Sequence, residues 1–234
     1  MKNLYLDIET IPTQNVEIIA DLKEETEALK AAVRAPSNYK DPQKIMEFCD
    51  AQYAQIEAAA DERYRATALD GSRGEVLCVS WAYNDESVFS VQRCNLHGGE
   101  KDILGDFFSV LNPEHHARFI GHCVRDFDLR FLYQRAVILG IRPPIRLPHD
   151  TRYNGDEVFD TMTGWAGWGN RISLARLCKT LGIAAKGTEI GEPIDGSKVW
   201  DYVQRGEIDK VAAYCRGDVE RVREVYRRMT WGSL

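Results

Sequence analysis

Asp7 and Glu9 stand two residues apart in the opening stretch Met1-Lys-Asn-Leu-Tyr-Leu-Asp-Ile-Glu9. Leu4, Leu6 and Ile8 alternate with Tyr5, Asp7 and Glu9, the period-2 signature of a strand. Spaced this way, the aliphatic side chains face a core and the two carboxylates share the opposite face. Ionised carboxylates side by side on a buried strand repel each other, and each resists desolvation. Thr10, Ile11 and Pro12, which follow, offer nothing to neutralise them. A divalent cation would, because hard oxygen ligands are what Mg²⁺ and Mn²⁺ prefer. The plain alternative is a strand end whose acids point into water.

Further acids recur far along the chain. Gly121-His-Cys-Val-Arg-Asp-Phe-Asp128 lies between a strand and a helix, and Asp126 and Asp128 are each either a ligand or a helix cap. In the last helix, Tyr214 and Asp218 are four residues apart and stack on one face. Gly217 beside them costs a helix interior about 1 kcal/mol relative to alanine, so close packing is expected there. Four carboxylates converging on one sheet edge are what a two-metal phosphoryl-transfer site needs, with ions roughly 4 Å apart.

The elements that must position these groups follow from the pattern. The opening strand is followed by helical segments at 14–35 and 43–66, broken at Pro36–Pro42. Val16, Ile19, Leu22, Leu29 and Val33 form the apolar positions of the first. Strands are expected at 76–83, 87–94 and 117–121, and helices at 100–110, 127–139, 172–181, 199–204 and 207–229. Phe159-Asp160 falls in a long loop, and Gly164–Gly169 reads as a compact Gly/Trp segment. Strands mixed with helices in this order give an α/β fold with a mixed sheet. The whole of 1–234 reads as a single domain carrying a helical insertion at 14–75.

Bulk properties narrow the class. The 234 residues are 44% hydrophobic and 28% charged, an ordinary globular composition. No apolar run reaches the roughly 18 residues that span a bilayer, and the chain enters a strand without an export signal. Six scattered cysteines at 49, 78, 94, 123, 178 and 215 form no zinc pattern and read as reduced thiols. The expectation is a cytoplasmic protein with no membrane association. The net charge of −6 is unfavourable to non-specific capture of nucleic acid. It is uneven, however: residues 1–141 carry 15 bases against 23 acids, residues 142–234 carry 15 against 13. A local basic surface in the second half therefore stays open.

Asp7-Ile-Glu9-Thr10, Phe127-Asp128 and Tyr214-x-x-x-Asp218 resemble the three motifs of the DEDD 3′–5′ exonucleases, in its Tyr-type branch. The match extends to the proofreading-exonuclease-like family related to family B DNA polymerases. Phe159-Asp160, Ser173-Leu174 through Leu181-Gly182, Lys186-Gly187 and Gly206 are similar to its intermediate segments. The resemblance covers residues 1–12 and about 74–230 and leaves the insertion outside.

The resemblance implies a ribonuclease-H-like fold, a mixed five-stranded sheet flanked by helices, and removal of nucleotides from a 3′ end. It implies two divalent ions, Mg²⁺ or Mn²⁺, held by Asp7, Glu9, Asp128 and Asp218. Asp7 would bridge both, Glu9 and Asp218 would complete one site, and Asp128 would support the other. Tyr214 would hydrogen-bond the attacking water. A phenol with a reference pKa near about 10 is better suited to orienting that water than to deprotonating it. Thr10, His122, Phe127 and Lys186 are the implied substrate contacts. One position departs from the family: Cys123 stands where its second motif has Asn, five residues before Asp128. A thiol hydrogen-bonds more weakly than an amide, so loop support or a substrate contact is altered there.

The expected activity is a metal-dependent 3′–5′ exonuclease releasing nucleoside monophosphates from nucleic acid with a free 3′ end, DNA favoured over RNA. With the chain ending at Leu234, a stand-alone enzyme is expected. The alternatives are a 3′–5′ exoribonuclease, which would share the same acids, and a catalytically silent module that binds nucleic acid or a partner. Trp165 and Trp168 read as core or lid packing, with base stacking as the other reading. Arg171, Arg176 and Lys186 are candidate phosphate contacts. The acidic insertion either walls the substrate groove, binds a protein partner or decorates the surface.

Overall fold

The computed structural model describes residues 2–94, 99–114, 116–184, 187, 190–191 and 194–232. Two compact units emerge, residues 1–10 with 76–234, and residues 11–75.

The first unit is built on one sheet of five strands, β1 (Lys2–Ile11), β2 (Glu75–Tyr83), β3 (Phe89–Gln92), β4 (Ala117–Gly121) and β5 (Val158–Asp160). Their order is β3-β2-β1-β4-β5. β1 runs parallel to β4 and β4 parallel to β5, whereas β2 and β3 are antiparallel. The sheet is therefore mixed, as expected of an α/β fold, and β1 lies at its centre.

A central strand is covered on both faces. Leu4, Leu6 and Ile8 pack into a core with Leu104 and Phe107 of α3 (Glu100–Ser109) and Leu132 of α4 (Arg130–Leu139). On the other face, Tyr5 packs with Val219, Val222 and Tyr226 of α8 (Ile208–Met229). Each such aliphatic or aromatic burial contributes roughly 1.5–3 kcal/mol. Asp7 and Glu9 continue the Tyr5 face towards the end of the strand, the alternation the sequence predicts.

Glu100, at the start of α3, ties three elements together. Its Oε1 accepts from the Val76 amide at 2.8 Å and from Arg135 Nε at 2.8 Å, and its Oε2 accepts from Arg135 Nη2 at 2.7 Å. Arg93, also buried, lies 3.9 Å from the same carboxylate and donates to the Val76 carbonyl. A buried carboxylate is held in the core here because two cations and a backbone donor surround it.

Three elements differ from expectation. Phe159-Asp160 belongs to strand β5 and not to a loop; with three residues it carries no periodicity to read. The Gly/Trp segment begins as helix α5 (Thr161–Ala166), capped by Asp160, whose side chain accepts from the Met162 and Thr163 amides. The helix expected from 127 starts as a π-helical turn at Arg125–Leu129 before α4. The remaining helices are α6 (Leu174–Leu181) and α7 (Val199–Gln204). Among the described residues no helix is long and apolar enough to cross a membrane.

In the second unit, α1 (Val16–Ala31) and α2 (Pro42–Ala66) pack together, started by Asn15 and Asp41 caps, with Pro42 at the first helical position. Thr26 is the only buried residue of α1, and α2 has none. Val16 and Leu29 of the expected apolar stripe are exposed. At the base of the unit the Gln14 amide donates to Glu75 Oε1 at 3.1 Å, and a Cβ on Gly74 would meet the Thr67 carbonyl oxygen at 2.4 Å and that of Ile11 at 3.1 Å.

Candidate active site

Asp7 and Glu9 come from the end of central strand β1, and Asp218 from the middle of α8, which crosses that face of the sheet. Carboxylate oxygens of the three lie within 4.8 Å of one another. The spacing of Tyr214 and Asp218 puts both on the buried side of α8. Hydrophobic Val211, Val219, Val222 and Val225 press the helix down and so fix where those two groups stand.

Asp128 lies outside this trio of acids but beside it. Its turn follows β4, the neighbour of β1, and its Oδ1 accepts from the Ile8 amide at 3.1 Å. Burial pushes its carboxyl well above the usual carboxylate range, and the charge of Asp7 pushes it further. Four acids so placed repel one another, and the all-oxygen donor set fits a hard divalent cation. Asp7, Glu9 and Asp218 are positioned to hold one ion together, with Asp128 next to Asp7.

Tyr214 is 1% exposed. Burial raises its phenol far above the ordinary tyrosine value, and Glu9, Asp218 and Asp7 add to the effect. Its hydroxyl also hydrogen-bonds the Asp218 carboxylate, which favours the protonated form. This tyrosine is a neutral donor enclosed among acids.

Groups that sequence reasoning passed over hold the acids in place. Arg221, buried one turn beyond Asp218, donates through Nη1 to Asp218 Oδ1 at 3.2 Å and through Nε to the Ala184 carbonyl. Its i+3 spacing was the available signal. The Ala184 contact brings the turn after α6 against α8, and Gly217 lines the same depression as Ile183 and Ala184. The Cys215 thiol donates to the Asp7 carbonyl at 3.4 Å; burial, then contact with Cys78, pushes it well above the usual thiol range. Two cysteines without a motif gave no such hint.

Asp160 is fully buried and joins the Asp128 turn to α5. Besides capping that helix, its Oδ1 accepts from the Cys123 amide at 3.1 Å. Cys123 has φ +68°, in the left-handed region. Asn is far more at ease there than other side chains, which gives a backbone reason for the asparagine that the motif usually has. Burial, followed by the charges of Asp128 and Asp160, pushes the Cys123 thiol up to about 12, so it stays a protonated thiol. Cys123→Asn is expected to relieve about 1 kcal/mol of backbone strain and to raise the melting temperature by roughly 2–4 °C. A lower melting temperature in a thermal scan would mean that sulfur packing outweighs the strain.

Gly121 explains how closely this turn approaches β1. A Cβ there would meet Val124 Cβ at 2.6 Å and the Leu6 carbonyl oxygen at 3.0 Å. His122 is engaged at both ring nitrogens, Nδ1 with Thr161 Oγ1 at 3.0 Å and Nε2 with the Ile172 carbonyl at 2.8 Å. Since a carbonyl only accepts, Nε2 carries a proton. Phe127 is half-buried against Phe131, and Thr10 is buried. Arg171 and Arg176 are exposed, while Lys186 lies outside the described residues.

A family described as predicted 3′–5′ exonucleases related to the exonuclease domain of PolB matches residues 74–232. Among solved structures, the family B DNA polymerase from the hyperthermophilic archaeon Pyrobaculum calidifontis aligns at 13% identity with a TM-score of 0.55. The alignment covers 99% of this chain and 24% of the polymerase chain. At that identity the likeness is one of fold, the ribonuclease-H-like arrangement of sheet and helices. No curated protein matches the chain.

Proposed function

The chain belongs to the family of predicted 3′–5′ exonucleases related to the exonuclease domain of PolB, and on that premise we propose that it hydrolyses DNA from the 3′ end to nucleoside monophosphates, using two Mg²⁺ or Mn²⁺ ions. The observation that carries this reading is the approach of Asp7, Glu9 and Asp218 to within 4.8 Å, with Asp128 and Tyr214 beside them. Kinship with a DNA polymerase exonuclease favours DNA over RNA.

Asp7, Glu9 and Asp218 would hold one ion and Asp128, next to Asp7, would support the second. Divalent ions held there would lower the pKa of water and neutralise charge on the phosphate. Water attacks the phosphorus of the last phosphodiester, the bond from phosphorus to the 3′ oxygen breaks, and that oxygen leaves as the new 3′ hydroxyl. Tyr214 orients the attacking water. Burial, the largest cause of its raised pKa, favours the protonated phenol, which suits a hydrogen-bonding role better than proton abstraction. Arg221 and Cys215 keep Asp218 and the Asp7 backbone from moving when charge develops.

The test is incubation with 3′-labelled and 5′-labelled DNA and RNA, single- and double-stranded, in Mg²⁺, Mn²⁺ or EDTA. Metal-dependent shortening from the 3′ end is expected, faster on DNA. If no substrate shortens, the enzyme reading fails; faster trimming of RNA would make it an exoribonuclease. Tyr214→Phe is expected to lower kcat by about 10- to 100-fold, the cost of a misplaced reactant, while Mn²⁺ binding by calorimetry is unchanged. Equal rates would remove Tyr214 from the mechanism.

A further inference from the structure

Trp165 and Trp168 are 45% and 60% exposed, so neither is core packing. Tyr153, also exposed, lies with its ring centroid 6.4 Å from that of Trp168. Exposed tryptophan forgoes the hydrophobic stabilisation that burial would bring, and clustered exposed aromatics mark binding surfaces.

The presentation of Trp168 is built into the chain. Gly167 and Gly169 on either side of it have φ +81° and +80°, values that side-chain-bearing residues rarely adopt. Asn170 closes the turn, its Nδ2 donating to the Ala166 carbonyl at 3.1 Å. Beneath the ring lies the Arg125 guanidinium, 5.8 Å from its centroid. Arg125 is itself only 2% exposed; its Nη2 donates to Thr163 Oγ1 at 2.6 Å, and its buried Nη1 has no hydrogen-bond partner among the described residues. A buried guanidinium committed to an outward-facing indole is a costly arrangement that a ligand on that indole would justify.

The position is equally specific. Arg125 precedes Asp128 by less than one helical turn, and Asp160 bonds the same segment to α5, which carries Trp165. The aromatic surface is thereby connected to Asp128, whose carboxyl feels the charge of Asp7. Positive charge accompanies it: Arg152 lies over the Tyr153 ring at 5.3 Å, and exposed Arg171 is near enough to Cys123 to act on its thiol. Of the acids near it in sequence, Asp156 is paired with Arg118, Asp150 and Glu157 are paired with Arg146, and Asp126 is exposed beside Arg125.

We propose that Trp168, with Tyr153 beside it, is a stacking platform for unpaired bases of the substrate strand. This rests on the nuclease reading above. Every base has a face to stack, so the platform grips any sequence, and only where bases are not already buried in a duplex. Cationic side chains next to the rings suit phosphates between those bases, a combination that a protein partner does not require.

The experiment pairs a change in the protein with a change in the nucleic acid. Wild type and Trp168→Ala bind a fluorescein-labelled oligothymidylate, or the same oligomer with abasic sites, in EDTA, where no cleavage occurs. Wild type is expected to bind the thymine-bearing oligomer about tenfold more tightly than the abasic one. Trp168→Ala should bind the two alike, Trp168→Phe should recover part of the difference, and melting should be unchanged. In Mg²⁺, Trp168→Ala should raise KM on single strands with little change in kcat. If Trp168→Ala discriminates as wild type does while cleavage persists, the platform is refuted and the nuclease reading stands. Absence of both binding and metal-dependent cleavage in wild type overturns both. Self-association of wild type in sedimentation, abolished by Trp168→Ala, would make this surface an interface between copies and overturn the proposal.

Discussion

Asp7→Asn is expected to lower the rate of nucleotide release by at least about a thousandfold, since a lost ligand removes several kcal/mol of transition-state stabilisation, and yet to leave the metal-free protein better folded. Asp7 is where the repulsion concentrates: its oxygens lie within 4.8 Å of those of Glu9 and Asp218, and its charge acts on Asp128 and Tyr214. The amide keeps the shape and removes the charge. Thermal melting in EDTA should therefore rise for the variant. In Mn²⁺ the order should reverse, because wild type gains about 2.7 kcal/mol at a ligand concentration a hundred times Kd and the variant gains little. The same melting temperature with and without Mn²⁺ in wild type would remove the metal from the account, and wild-type turnover in the variant would remove Asp7.

The second large effect concerns stability alone. Glu100→Ala leaves Arg135 and Arg93 buried without their carboxylate and the Val76 amide without its acceptor. The expected loss is about 3–5 kcal/mol in urea unfolding, the usual cost of breaking a buried pair from one side. Replacing all three charged members, Glu100→Leu with Arg135→Met and Arg93→Met, should recover part of it, the Val76 amide still lacking its acceptor, because what costs most is an orphaned charge and not the lack of a salt bridge. A Glu100→Ala loss under about 1 kcal/mol would place this site among ordinary surface substitutions and contradict its burial.

Legibility in the sequence followed the length of the signal. β1 and α8 carry full periods of alternation and of i,i+4 spacing, so the sequence itself assigns Asp7, Glu9, Tyr214 and Asp218 to their faces. β5 has three residues and borrows its conformation from β4, a long-range pairing that no local pattern announces. Asp160 looked like part of a loop because its partners, Cys123 and α5, are set by that pairing. On sequence alone the two tryptophans point to packing. Two left-handed glycines turn Trp168 outwards instead, and glycine types alone do not say which of them take that conformation. Cys123 was visible as a departure from a motif, but its left-handed backbone, which gives the departure a meaning, was not.

The closed base of residues 11–75 has a consequence for what the chain can tolerate. Gly74 comes back against Ile11 and Thr67, and Gln14 reaches Glu75, so entry and exit are fastened to each other. Once the ends of a loop are pinned, each doubling of its length adds only about 0.6 kcal/mol of closure entropy. The exposed bend Pro36–Lys40 between its two helices is therefore a place for splicing in a foreign segment, a fluorescent reporter or an affinity handle.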